Sequence, residues 1–172
     1  SLKAIRSPDN PGDLTLGLTS RNSTIQIHED QITGGVLGGI LSFRSETLDS
    51  AQNALGRIAI SLAHSFNAQH QSGVDLNGDM GVNFFTVPPL KVISALTNNP
   101  ASNITASISD YDALTTSDYQ FSYDGTHYTL TRLSDNTSVS TLVAPSGGAP
   151  LILDGISVTG AAILTKIGRA HV

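Results

Sequence analysis

The chain reads as an α+β protein in which one long amphipathic helix follows a β-hairpin and precedes an antiparallel β-sheet domain. Three observations predict this. Leucines recur every seven residues at 41, 48, 55 and 62. Apolar residues alternate at Leu14, Leu16 and Leu18 and again at Ile25 and Ile27. Two Asp-Gly pairs, at 124–125 and 154–155, each separate short alternating runs.

The elements follow in order. Residues 1–12 contain Pro8, Pro11 and Gly12 and read as a loose lead-in. The two Leu and Ile runs are joined through Ser20-Arg21-Asn22-Ser23, which makes a hairpin, so residues 1–35 form the lead-in and hairpin. Thr33 or Gly34 caps a helix over 36–71, and Gly73 with the Gly, Asp and Asn residues behind it ends that helix. From Gly34 to His70 it would run roughly 50 Å at about 1.5 Å per residue, longer than a compact domain of this size spans. Ala51 and Ile58 fall three residues after Leu48 and Leu55, giving the 3-4 spacing of a coiled-coil seam, and Phe66 extends it. Leu41, Leu48, Ala51, Leu55, Ile58, Leu62 and Phe66 are therefore the expected interface. Arg44, Glu46, Asp49, Gln52, Asn53, Arg57, His64 and Gln69 make up the opposite, solvated or lightly packed face. Glycines at 38, 39 and 56 each cost a helix about 1 kcal/mol relative to Ala, which points to a close backbone.

Residues 72–105, with Pro88, Pro89, Pro100 and Asn98-Asn99, form a loop and connector, and residues 106–166 an antiparallel β domain. A two-residue turn at Asp124-Gly125 would set Phe121 opposite Tyr128 and Tyr119 opposite Leu130. The same turn at Asp154-Gly155 sets Leu153 opposite Ile156 and Leu151 opposite Val158. No internal repeat is present.

Gly35, Leu37 to Leu41, Phe43-Arg44-Ser45, Leu48-Asp49, Asn53, Leu55-Gly56, Ala59, Ala63, Phe66-Asn67, Gln69-His70, Gly73, Asp75, Asn77-Gly78-Asp79, Gly81 and Phe84-Phe85 together resemble the flagellar hook-associated proteins of the hook-filament junction. A second block, from Ile108-Ser109-Asp110 through Ser117-Asp118-Tyr119 to Thr131 and Thr137, resembles the β-rich domain of the same family. The two cover most of residues 33 to 160. The resemblance implies a structural role in the bacterial flagellum, joining hook to filament. It also implies partners among the hook, the adjacent junction proteins and copies of the chain itself. It implies an extracellular location, reached through the flagellar secretion channel without a cleaved signal peptide.

Family members continue past this point through the rest of the sheet and a return helix. The last six residues, 167–172, also read as the in-frame translation of ATCGGAAGAGCACACGTC, a common sequencing-adapter stretch. They are expected to be a non-native tail on a β domain truncated after Lys166, and the N-terminal helices of the family are likewise expected to precede Ser1.

Composition restricts the remaining possibilities. Apolar residues make up 39% of the chain, enough for a core, and charged residues only 13%, about half the usual share. A net charge of −5 with three lysines gives no basic surface for nucleic acid. No apolar run approaches the ~20 residues that cross a bilayer, so no membrane partner is expected. There is no cysteine, hence no disulfide and no thiolate metal site.

Asp75, Asn77 and Asp79 occupy alternate positions, like the start of a calcium loop. The remainder of that motif fails, since glycine falls seventh instead of sixth and Thr86 stands where a bidentate Glu is required. A turn held by Asx hydrogen bonds accounts for the same residues, so these are weak metal candidates and no cofactor is expected. The histidines at 28, 64, 70, 127 and 171 show no ligand spacing, and His64 and His70 diverge by about 240° around a helix. Neither a nucleophile elbow nor a phosphate loop occurs, so catalysis is not expected. The rival to the flagellar reading is a calcium-binding or adhesive extracellular β module, which calcium titration would distinguish.

Overall fold

Alternating apolar residues at the start of the chain build a three-stranded antiparallel sheet. In the structure, a computed structural model, β1 (Leu2–Arg6) pairs with β2 (Leu14–Ser20), which pairs with β3 (Ser23–Ile27). It describes residues 1–8, 10–12, 14–20, 23–27, 31–96, 98–99, 102–161 and 169–171. Leu16 lies opposite Ile27 and Leu18 opposite Ile25, so the two runs form the expected hairpin. The lead-in expected at residues 1–12 is corrected: Leu2 and Ala4 lie opposite Leu18 and Leu16 in β1. Pro8, Pro11 and Gly12 only break the chain between the first two strands.

The helix is one continuous rod in three consecutive pieces. These are α1 (Gly35–Phe43), a π-helical turn (Arg44–Leu48) and α2 (Asp49–Gln71). Gly34 is its N-cap, with extended backbone and no side-chain bond, and the cap at Ser72 ends it one residue before Gly73. Its 37 residues span about 55 Å at 1.5 Å per residue. Of the glycines expected to admit a backbone, Gly38 does, since a Cβ there would lie 2.8 Å from the Ile32 carbonyl oxygen. Gly39 has open space instead.

After the helix, β4 (Lys91–Val92) and the first residues of β5 (Asn103–Ile108) lie in the stretch expected as connector. A five-stranded antiparallel sheet runs β4, β11 (Arg169–His171), β6 (Tyr119–Tyr123), β7 (Tyr128–Arg132), β8 (Ser138–Thr141). A three-stranded sheet runs β5, β10 (Ile156–Ala161), β9 (Leu151–Leu153). Of the expected tail, residues 169–171 thus form a strand, while Ile167, Gly168 and Val172 lie outside the described residues, as do His28 and Asn22.

The core lies between these two sheets. Tyr119, Phe121, Tyr128 and Leu130 come from alternate positions of β6 and β7, and Ala106, Leu151, Ile156 and Val158 from the other sheet, with Leu114 between them. The β9–β10 turn has the expected register, Leu153 opposite Ile156 and Leu151 opposite Val158. The β6–β7 hairpin differs from expectation: Phe121 lies opposite Leu130 and Tyr119 opposite Arg132. Asp154 and Gly155 both have positive φ, as a two-residue turn requires, whereas at the first pair only Gly125 does. The Asp124 carboxylate instead accepts from the backbone N–H groups of Thr126 at 2.8 Å and His127 at 2.7 Å, closing a four-residue loop. Those two bonds hold its carboxyl below the usual range. A slip of two residues preserves the side-chain faces, so the aromatic residues still reach the core.

One polar cluster ties the two sheets. The Tyr119 hydroxyl donates to Asp154 Oδ2 at 2.7 Å, and Arg132 reaches the same oxygen at 2.8 Å. Arg132 also forks onto Asp135, at 2.9 Å from Nε and 2.6 Å from the terminal nitrogen. Arg132 and then Thr137 hold the Asp135 carboxyl well below its ordinary range. Burial, followed by the bond to Asp154, pushes the Tyr119 phenol up to about 12. A phenol whose folded pKa is raised contributes stability that is complete below about pH 10 and is lost as pH rises towards 12. Thermal melts should therefore fall over that range by the equivalent of about 2–3 kcal/mol more for the parent than for Tyr119→Phe. Equal pH dependence in both proteins would refute this account.

Candidate assembly interface

Two lines of side chains run along opposite sides of the helical rod. At 100° per residue, Leu48, Ala51, Leu55, Ile58, Leu62 and Phe66 fall within about 80° of one another. All are exposed, Leu55 at 69%, Ile58 at 64% and Leu62 at 62%. Leu41, expected on the same line, stands off it. The π turn holds one extra residue, which sets everything before it about 100° round the axis. Ile40 thereby takes the position that heptad counting gives to Leu41, and Phe43, three residues on, falls on the same line. Their exposures of 59% and 60% match the rest of the seam, while Leu41 and Arg44 are half-buried. Serine chemistry accompanies this turn: the Ser45 hydroxyl donates to the Leu41 carbonyl at 3.1 Å and lies 3.3 Å from that of Ser42. Such back-bonding to the preceding turn perturbs the regular ladder.

On the opposite side, expected to be solvated or lightly packed, Glu46, Gln52 and Gln69 are exposed, but Asn53 is turned inward, which corrects its assignment to a solvated face. Asn53 is buried, and its amide nitrogen donates to the Thr116 carbonyl at 3.1 Å and to Asp118 Oδ1 at 2.9 Å. Ile60, one heptad further on, packs against the core of the β domain. The His64 ring lies on that of Tyr111 with centroids 3.9 Å apart and planes 10° from parallel. Asn67, also buried, accepts from the N–H groups of Phe84 and Phe85 at 2.9 and 2.8 Å and donates to the Phe85 carbonyl at 2.8 Å.

Beyond the helix, residues 73–85 fold into a tight loop. Asp75 Oδ1 accepts from the backbone N–H of Asn77 at 2.8 Å and of Asp79 at 2.9 Å, and these bonds, Asp79 first, hold its carboxyl below the usual range. Gly81 lies so close to the helix end that a Cβ there would meet the His70 carbonyl oxygen at 2.0 Å. His70 Nδ1 sits 2.6 Å from the Val82 carbonyl oxygen, and Gln71 donates to Asn83 at 2.6 Å. The loop thus carries Leu76, Met80, Val82 and Phe84 outward, all exposed, with Phe84 against Phe66 of the seam at 5.3 Å between ring centroids.

Comparison with known proteins identifies the architecture. The model of the flagellar hook-associated protein FlgK helical domain matches residues 1–85, and that of the D2-like domain of flagellar hook-associated protein 1 matches residues 93–166. The chain belongs to the FlgK family. Flagellar hook-associated protein 1 of Escherichia coli K12 is 35% identical over 159 residues, covering 92% of this chain and 29% of the relative. The Salmonella typhimurium LT2 relative of the same name is 35% identical over 160 residues, again 92% and 29%. The structure of the flagellar hook junction protein FlgK from Burkholderia pseudomallei aligns with a TM-score of 0.82 at 33% identity, covering 98% of this chain and 32% of that one. The chain therefore spans about a third of the length of these FlgK relatives.

Within this FlgK framework the polar line is what sequence reading missed. A signal existed: Asn53 and Asn67 are two heptads apart, hence in phase, and Asn is a poor residue for a helix interior. Of the histidines, His64 and His70 make the contacts above, and His127 Nδ1 stands 3.7 Å from Asp124. Among the described residues no helix is long and apolar enough to cross a membrane.

Proposed function

We propose that this chain is a non-enzymatic structural part of the bacterial flagellum. It would join hook to filament through its helix and meet the hook, the adjacent junction proteins and copies of itself outside the cell. Export through the flagellar channel without a cleaved leader belongs to the same reading. The observation that carries it is the uncovered seam of Ile40, Phe43, Leu48, Leu55, Ile58 and Leu62 on a chain whose relatives are hook-associated proteins. Burying each such side chain against another helix contributes about 1.5–3 kcal/mol before ordering costs, a strong drive to assemble. The rival calcium-binding module is disfavoured because Asp75 Oδ1 already accepts two bonds from its own loop.

The test is a chimaera of the E. coli relative in which the matching segment is replaced by that of this chain, in cells lacking their own copy. Swimming is expected to return with the unsubstituted segment and to be lost with Leu55→Asp and Leu62→Asp together. Equal swimming with both substitutions would overturn the seam-based reading, and an exported, folded but inactive parent chimaera would count against the flagellar role.

A further inference from the structure

The helix meets the β domain along a single narrow line. Asn53, Ile60 and His64 lie seven and four residues apart, on the side away from the seam. Among the described residues, Ile60 is the only helical side chain packed against the β-domain core. Asn53 adds its two amide bonds, at 3.1 and 2.9 Å, and His64 adds its ring pair with Tyr111 at 3.9 Å. Beside that pair an open cleft of about 370 Å³ is lined by His64, Asn67, Gln71, Phe85, Val87 and Tyr111. With so little apolar packing and an open cleft beside it, the angle between the two bodies depends on these few specific contacts.

We propose that Asn53 and the His64–Tyr111 pair form a latch that fixes the angle of the β domain on the helical rod. With the latch undone, the β domain turns about the connector between Phe85 and Leu90, and the cleft changes width. Asn53 suits the role because both hydrogens of its amide are used, one on a backbone carbonyl and one on a carboxylate. An aspartate in its place has no hydrogen to give and sets a second negative charge against Asp118. The loop held by Asn67 is separate from this attachment, since all three of its bonds go to Phe84 and Phe85. The latch is independent of the flagellar reading and concerns only this chain's own geometry.

The chain has no cysteine, so spin labels can be placed at Ser50→Cys and Ser140→Cys, both exposed, without removing any native thiol. Pulsed dipolar spectroscopy on labelled chain diluted in unlabelled chain reads the intramolecular distance between rod and sheet. One narrow distribution is expected in the parent, and one at least twice as wide, or with a second maximum, in Asn53→Asp with Tyr111→Ala. His64→Ala, which removes an exposed ring and leaves both cores intact, is expected to broaden it to a smaller extent. Circular dichroism should show unchanged secondary structure in all three. A parent distribution that is already broad, or an unchanged width and centre in both His64→Ala and the folded double variant, would overturn the latch.

Discussion

In sedimentation velocity the 172-residue chain is expected to self-associate, and Leu55→Asp with Leu62→Asp to return it to a monomer. The two leucines sit at the middle of the exposed line, 69% and 62% accessible, so neither substitution opens a cavity in the chain's own fold. In a helix pair each would be buried, and its loss removes about 1.5–3 kcal/mol. Two per chain amount to about 3–6 kcal/mol, roughly 10²- to 10⁴-fold in the association constant, before the cost of burying the new carboxylates is counted. The helix itself loses only about 0.5 kcal/mol per substitution in propensity. Ser50→Asp, about a third of a turn from the seam, serves as the control and should leave association unchanged. If parent and double variant are both monomeric at every concentration, the line is merely an exposed stripe and carries no partner.

Which features were legible follows from which forces are local. Period-two alternation revealed the hairpin of the Leu14–Leu18 and Ile25–Ile27 runs, and the turn at 154–155 gave a second hairpin with its register. The heptad leucines gave the helix and its limits within a residue. β1 escaped because its alternation is weak and three breakers follow it, although Leu2 and Ala4 find partners across β2. The π turn escaped because it depends on how Ser45 shares the carbonyls of the preceding turn, and it moved Leu41 off the seam in favour of Ile40 and Phe43. Most instructive is the sidedness of the rod. The leucines face out, while Asn53, His64 and Asn67 face the rest of the chain, although Asn53 and His64 stand on the side read as solvated or lightly packed. Whether a chain covers such a stripe with its own elements depends on tertiary partners that no local pattern encodes.

The two Asp-Gly pairs look alike in sequence, and replacing each glycine by alanine should show that they are not. Gly125→Ala is expected to cost about 1–2 kcal/mol, the strain of a left-handed alanine at φ 99° with nothing within 4 Å of the new Cβ. Gly155→Ala carries the same strain at φ 76°, and its Cβ would also stand 2.1 Å from the Asp110 carbonyl oxygen. Separating those atoms pulls the Gly155 carbonyl away from the N–H of Ser109 at 2.7 Å and of Asp110 at 3.2 Å. Each lost bond costs about 0.5–1.5 kcal/mol, so with the strain the total comes to about 2–5 kcal/mol. The damage also reaches the adjoining Asp154, whose carboxylate holds Tyr119 and Arg132. At roughly 2–4 °C per kcal/mol for a chain of this size, Gly155→Ala should lower the melting temperature by about 10 °C and Gly125→Ala by less than half of that. Equal shifts would mean that the β9–β10 turn is not held against the β5 end by backbone bonds, and that the close approach at Asp110 relaxes without cost.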